Sequence, residues 1–165
     1  MPTPDRTSLD EIVAAARELL ESNELTMQSV AARVGVQAPS LYKRVRSRDA
    51  LVQLVAEATL TELSLIEGDI YAVAASFREF AHRRPAAFRL VMGFSSPLLV
   101  EASQPILRAA SQLAGTENAL VAARTFTAWA TGFISMELNG GFNLDGEVDE
   151  AWNYGLAAIV TAISA

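Results

Sequence analysis

Apolar residues recur at helical spacing along almost the whole chain, and no stretch alternates in period two over the length of a strand. Leu9, Ile12, Val13, Ala16, Leu19 and Leu20 form one stripe. Ser8, with Glu11 three residues on, has the form of a capping box, so a helix is predicted over 9–21. Thr26 is a good N-cap for a second helix carrying Met27, Val30, Ala31 and Val34, which Gly35 ends. A short third helix over 38–45 tolerates Pro39 in its first turn, and Ser47 caps a fourth bearing Leu51, Leu54, Val55 and Ala58. Beyond Glu67-Gly68-Asp69 the helices become longer and more apolar. The pattern predicts them over 70–83 (stopped by Pro85), 86–94, 98–113 with a bend at Pro105, 117–138 (ended by Asn139-Gly140-Gly141) and 148–163. The expected fold is all-α, with an N-terminal three-helix head over 6–66 and a C-terminal helical bundle over 67–165.

The segment 119–138 is apolar nearly all round. So is much of 152–163, which also carries the small residues Gly155, Ala157, Ala158 and Ala162. Helices apolar on several faces must be buried on several faces, which in a chain of 165 residues points to a subunit interface. Two such helices from each of two chains would make a four-helix dimer bundle. Phe77, Phe80, Phe88, Met92, Phe94, Leu107, Phe126, Trp129 and Phe133 form an aromatic-rich helical set that either packs as plain core or lines an apolar cavity. Arg124 and Glu137 interrupt the apolar fourth helix of this half. A salt bridge is the simpler role for them, ligand orientation the sharper one.

Composition narrows the chemistry. The chain has no cysteine and a single histidine, His82, which removes disulfides, thiolate metal sites and Cys nucleophiles and leaves neither a metal site nor a Ser-His-Asp arrangement to support. His82 stands at a helix end, where an exposed imidazole or one satisfying the helix dipole is the plain reading. No paired-carboxylate motif stands at a convincing spacing, so an enzyme is not the reading the sequence favours and no cofactor is implied. No apolar run approaches the ~20 residues of a membrane span, and the N-terminus lacks the order of a signal peptide, so a cytoplasmic protein is expected. The net charge is −6, yet 33–48 holds five basic residues (Arg33, Lys43, Arg44, Arg46, Arg48) and no acidic one, while 137–150 holds five acidic residues and no basic one. A locally basic edge on an acidic body suits contact with phosphate along that edge.

That edge coincides with the arithmetic of a helix-turn-helix. A small Ala31 lets a second helix cross closely, Gly35 supplies a left-handed turn, and Leu41 and Val45, one turn apart, anchor the third helix. Its remaining face, Ala38, Ser40, Lys43 and Arg44 with Tyr42 at the flank, is short, polar and basic, as a helix entering a major groove about 12 Å wide must be. Residues 26–51, with the Leu41-Tyr42 pair and Ser47-Arg48-Asp49-Ala50-Leu51, resemble the DNA-binding region of the TetR family of transcriptional regulators. Trp129 to Phe142 is similar to the Trp-His-Gly subgroup of that family, with Thr131 where the subgroup has histidine. Other departures are the short connection Ser22-Asn23-Glu24-Leu25, which lacks the customary glycine, Arg44-Val45 after the Leu-Tyr pair, and Gln37 in place of a Ser or Thr cap.

The resemblance implies a homodimer whose two recognition helices read a pseudo-palindromic double-stranded DNA operator about 34–36 Å apart. It implies phosphate contacts from Thr26, Tyr42 and Arg48. Gln37, Ala38, Ser40, Lys43 and Arg44 are candidates for base edges or neighbouring phosphates. Arg33 and Arg46 fit solvated or ion-paired roles better. A small hydrophobic effector bound by the C-terminal helices would release the operator, making the protein a repressor, with the fourth helix as the lever. The alternatives are a constitutive helix-turn-helix regulator without a ligand and a helical dimer that no longer binds DNA.

Overall fold

A computed structural model describes residues 7–164, and every described element is helical. Residues 1–6, which bear on the signal-peptide expectation and on the start of the expected head, lie outside the described residues, as does Ala165. The helices are α1 (Leu9–Glu21), α2 (Met27–Arg33), α3 (Ala38–Tyr42), α4 (Arg48–Ser64), α5 (Ile70–Arg83), α6 (Pro85–Met92), α7 (Leu98–Ala102), α8 (Gln104–Leu138) and α9 (Val148–Ile163). No helix among the described residues is long and apolar enough to cross a membrane.

The caps read from the sequence are formed. At α1 the Ser8 hydroxyl accepts from the Glu11 amide at 3.1 Å, and the Glu11 carboxylate accepts from the Ser8 amide at 2.7 Å. Thr26 does the same for α2 with Ser29 as its reciprocal partner. Ser47 accepts from the Ala50 amide at the start of α4, and Asp69 accepts from the Tyr71 and Ala72 amides at the start of α5. At the end of α2, Gly35 takes φ +75°, so the Val36 amide reaches the Ala31 carbonyl and the Gly35 amide the Ala32 carbonyl. The end of α1 repeats this hydrogen-bond pattern without glycine. Asn23 adopts φ +58°, Glu24 bonds back to Leu19, and Asn23 to Leu20. Asparagine tolerates the left-handed conformation, which explains how the short connection after α1 dispenses with glycine.

The chain divides into two compact units. One holds the described residues up to Thr61 together with Arg84–Leu98; the other holds Glu62–Arg83 and the residues from Leu99 onward. In the first, Ile12, Ala16, Leu19, Leu25, Val30, Ala31, Leu41, Val45, Leu51 and Val55 form one buried cluster. The return of α6 to this unit is fixed by a carboxylate. Glu21, at the end of α1, accepts the Ala86 and Ala87 amides, both at 2.9 Å, and so satisfies the first turn of α6.

In the second unit α8 packs along α5 on one side and α9 on another. Sequence spacing separates helices over 98–113 and 117–138 with a bend at Pro105. Instead the first breaks at Ser103, so that Pro105 falls in the opening turn of α8, where its missing N–H costs nothing. The second break is at Gly115, whose φ of +77° and ψ of +162° turn α8 into two arms. Only glycine adopts such a backbone freely. Ala110 on the first arm packs with Ala122 and Ala123 on the second, small side chains that permit close approach.

A candidate nucleic-acid interface and a ligand groove

The helix-turn-helix is built from the inside outward. Leu41 is fully buried and Val45 nearly so, and both belong to the cluster that joins α1, α2 and α4. The α3 helix is shorter than its spacing predicts, ending at Tyr42 rather than Val45. The Val45 amide still bonds the Leu41 carbonyl at 2.9 Å, so the backbone completes one further turn through Lys43 and Arg44. With Leu41 and Val45 turned inward, Tyr42, Lys43 and Arg44 are exposed, while Ala38 and Ser40 are half-buried beside them. Gln37 stands exposed at the N-cap of α3 and makes no capping bond, so its amide is turned to solvent. Lys43 and Arg46 make no ion pair among the described residues, whereas Arg33 is held by Glu18 at 2.7 Å.

Two candidate phosphate contacts carry structural duties as well. The Thr26 hydroxyl caps α2, leaving its oxygen exposed at the helix start. The Arg48 Nε donates to the Leu25 carbonyl at 3.1 Å, which ties the start of α4 to the α1–α2 connection and leaves the two terminal guanidinium nitrogens available. All eight candidate DNA-contacting residues lie within one unit: Thr26 at the N-cap of α2, Gln37 to Arg44 in α3 and its flanking residues, and Arg48 at the start of α4.

The nine candidate pocket residues are divided between the two units. Phe88, Met92 and Phe94 lie in the first unit, with Phe88 buried and Met92 exposed; Phe77 and Phe80 lie on α5. Phe126, Trp129 and Phe133 stand on the second arm of α8 and join an aromatic stack that also includes Phe142 and Trp152, two residues missing from the candidate set. Trp129 lies flat against Trp152, ring centroids 4.8 Å apart and planes 28° from parallel. Gly155 makes this possible: a Cβ there would come within 2.7 Å of the Trp129 ring.

Glu137 takes the simpler of its two expected roles, a salt bridge, and His82 stands beside it rather than only at a helix end. Arg78 grips Glu137 with two guanidinium nitrogens, reaches Asp149 at 2.6 Å, and lies over the Trp152 ring at 5.0 Å. His82 Nε2 stands 3.0 Å from Glu137 Oε2. Burial pushes the Glu137 carboxyl up, but the hydrogen bonds and charges of Arg78 and His82 outweigh it and hold it below the usual carboxylate range. The Glu137 hydrogen bond in turn raises Arg78, against a smaller opposing effect of burial. This network joins α5, α8 and α9.

Leu107 alone of the nine lines the open groove of about 870 Å³ formed by α7 and the two arms of α8. Leu99, Val100, Ile106 and Leu120 supply most of its apolar wall, and Ser103, Arg124 and Thr127 its polar points. Sequence spacing missed this groove because its walls are aliphatic, and their meeting depends on the reversal at Gly115.

Comparison with known proteins decides the family. Residues 70–159, more than half of the chain, match the family described as tetracyclin repressor-like, C-terminal domain. The chain belongs to this TetR family. The uncharacterized HTH-type transcriptional regulator Rv0681 of Mycobacterium tuberculosis is 26% identical over 159 residues, covering 83% of this chain and 73% of that protein. Among solved structures, a variant TetR from Acinetobacter baumannii AYE in complex with minocycline is 25% identical with a TM-score of 0.69, over 95% of this chain and 96% of that one. The Streptomyces coelicolor TetR protein ActR, in complex with actinorhodin, shares the fold at 17% identity with a TM-score of 0.74, over 96% of each chain. The fold of this TetR-family chain is thus that of a helix-turn-helix head with a C-terminal helical domain, as its hydrophobic pattern predicts.

Proposed function

We propose that this TetR-family chain is a homodimeric repressor whose head, over 6–66, reads a palindromic operator, and whose remainder, over 67–165, dimerises and binds a small apolar effector. The observation that carries the reading is the division of α3: Leu41 is fully buried while Tyr42 is 49% exposed and Lys43 and Arg44 stand beside it. A helix anchored by its inner residues and basic on its outer ones can enter a major groove without unfolding anything. Thr26, Tyr42 and Arg48 would take phosphates. Gln37, Ala38, Ser40, Lys43 and Arg44 would face bases or adjoining phosphates.

Dimerisation is supported by apolar surface that one chain leaves uncovered. Val121 and Met136 on α8 and Tyr154 on α9 are at least half exposed, and Ala128, Gly132, Ala157, Ala158 and Ala162 are exposed with them. Small residues beside exposed apolar ones fit helix-on-helix packing between copies. Effector release follows from linkage: a ligand that prefers a conformation in which the two recognition helices no longer match the operator lowers affinity by its differential affinity for that state. The chain running through α4 from Arg48 to Ser64 links head to body. No catalytic step is required, and a cytoplasmic location fits a DNA-binding role.

The decisive experiment is selection of bound duplexes from a random pool at fixed salt. Enrichment of a palindrome with half-sites one helical turn apart is the expected result. A folded dimer that enriches no sequence would overturn the reading.

A further inference from the structure

We infer that the loop joining α8 to α9 in one copy of this chain docks into the groove between α7 and the two arms of α8 in a second copy, with Leu144 on the aliphatic wall and Asp145 paired to Arg124. This rests on the homodimeric reading above and adds which segments of the two copies meet.

The loop presents an apolar tip that its own chain does not cover. Gly140 and Gly141 donate back to the Glu137 and Met136 carbonyls, and Phe142 packs on Phe133 with ring centroids 4.6 Å apart, so the start of the loop is fixed to α8. Just beyond, Leu144 is 89% exposed, more than any other large hydrophobic side chain among the described residues. One exposed leucine says little by itself; its neighbours make it specific. Glu137 and Asp149 are spent on Arg78, whereas Asp145, Glu147 and Glu150 make no ion pair among the described residues. The tip therefore combines an apolar side chain with uncompensated negative charge.

The groove is its complement. Leu99, Val100, Ile106, Leu107 and Leu120 line it, and Val100 is 67% exposed. Arg124 lines it too, is exposed, and makes no ion pair among the described residues. Its planar fork suits a carboxylate. The chain's own loop does not serve this groove, since Leu144 is exposed and about 21 Å of helix separates Arg124 from Leu138. Arg124, Ala128, Gly132 and Met136 follow at four-residue steps and form one exposed row along α8. The groove is thus continuous with the face proposed for dimerisation.

Symmetry supplies the register. In an isologous pair with the α8 arms antiparallel, each residue meets the one equally far beyond the two-fold axis. Pairing Arg124 with Asp145 places that axis between Ile134 and Ser135, hence between Gly132 and Met136 of the exposed row. The same axis sets Met136 of each copy beside Gly132 of the other, a long side chain against a residue that has none. Asp145 must then lie about 10 Å beyond Leu138, a distance that the intervening chain spans easily. The docked loop roofs the groove rather than filling it, because one leucine side chain is far smaller than about 870 Å³.

The test uses the full chain and reads self-association by analytical ultracentrifugation at fixed salt. Arg124→Glu and Asp145→Arg should each raise the dimer Kd at least roughly tenfold, because an isologous dimer holds two such pairs. The double variant, with the charges exchanged, should return close to wild type. Leu144→Ser should raise the Kd by roughly a hundredfold, since two leucines lose their cover. All three side chains are exposed in the single chain, so its folding should be unchanged. The chain has no cysteine, so an equimolar mixture of Arg124→Cys and Asp145→Cys chains should cross-link into disulfide-bonded dimers under mild oxidation, and neither variant alone should do so. A dimer of unchanged affinity in the single variants, an exchanged-charge variant as weak as its parents, or a mixture that does not cross-link would overturn the docking while leaving a homodimeric regulator. A cross-link in either variant alone would overturn the register. A wild-type chain that stays monomeric would overturn the homodimeric reading along with the docking.

Discussion

Gly155→Ala tests the packing of α9 on α8 by the sign of its effect. In an exposed helix interior the substitution stabilises by about 0.8–1 kcal/mol, because alanine loses less backbone freedom on folding. Here the new Cβ would sit 2.7 Å from one Trp129 ring atom and 3.1 Å from two others. Restoring ordinary contact at 3.4 Å requires a shift of about 0.7 Å. The ring cannot move freely: it is stacked on Trp152 at 4.8 Å and flanked by Phe126 and Phe133 at 6.0 Å. Forcing a carbon into a packed site of this kind costs about 1–3 kcal/mol. After the helix-propensity gain, the net effect is a loss of about 0–2 kcal/mol, or a melting temperature lowered by up to about 8 °C for a domain of this size. The assay is thermal unfolding followed by circular dichroism, with tryptophan fluorescence reporting the disturbed stack. In a Trp129→Phe background, which removes the atoms nearest the new Cβ, Gly155→Ala should become stabilising, so the double-mutant cycle carries a coupling term of about 1–3 kcal/mol. A rise of 2–4 °C for Gly155→Ala alone, the value about 1 kcal/mol of pure propensity would give, would refute the close approach of α9 to Trp129.

Three further outcomes are expected. Tyr42→Ala with Lys43→Ala should abolish binding to the selected duplex while leaving stability within about 0.5 kcal/mol of wild type, since both side chains are exposed; undiminished affinity would displace the recognition helix. Glu137, whose carboxyl is held below its ordinary value, favours the folded state when ionised. That contribution is complete above a pH of about 4.5 and is lost as pH falls through the lowered folded value, so melting curves should show wild type losing stability in that window and Glu137→Gln losing less. Glu21→Gln should destabilise the first unit by about 1–2 kcal/mol in denaturant titration, because the α6 amides of Ala86 and Ala87 lose their charged acceptor; an unchanged midpoint would mean that water serves them equally well.

Local signals explain most of what was legible in the sequence. The bounds of α1, α5 and α9 follow from apolar spacing with adjacent caps or breakers, and the helix-turn-helix follows from Thr26, Gly35, Leu41 and Val45, whose roles are set within one or two turns of backbone. Exposure of Tyr42 and Lys43 follows from the same spacing, because burying Leu41 and Val45 leaves those positions outside. The aromatic residues were legible as apolar but not as a stack, since the pairing of Trp129 with Trp152 depends on two helices meeting at Gly155, which the chain alone presents as one small residue among several.

Periodicity, capping and motif spacing are all short-range, and they suffice for the helical fold, the basic edge at the helix-turn-helix and the family. Which carboxylates and cations pair is a property of the folded chain, which brings Arg78 to Glu137 across 59 residues and Glu21 to the start of α6 across 65. So is the reversal of α8 at Gly115 that opens a groove. A side chain's hydrogen-bonding chemistry is written in its residue type, but its partner is chosen by whatever the folded chain brings within about 3 Å.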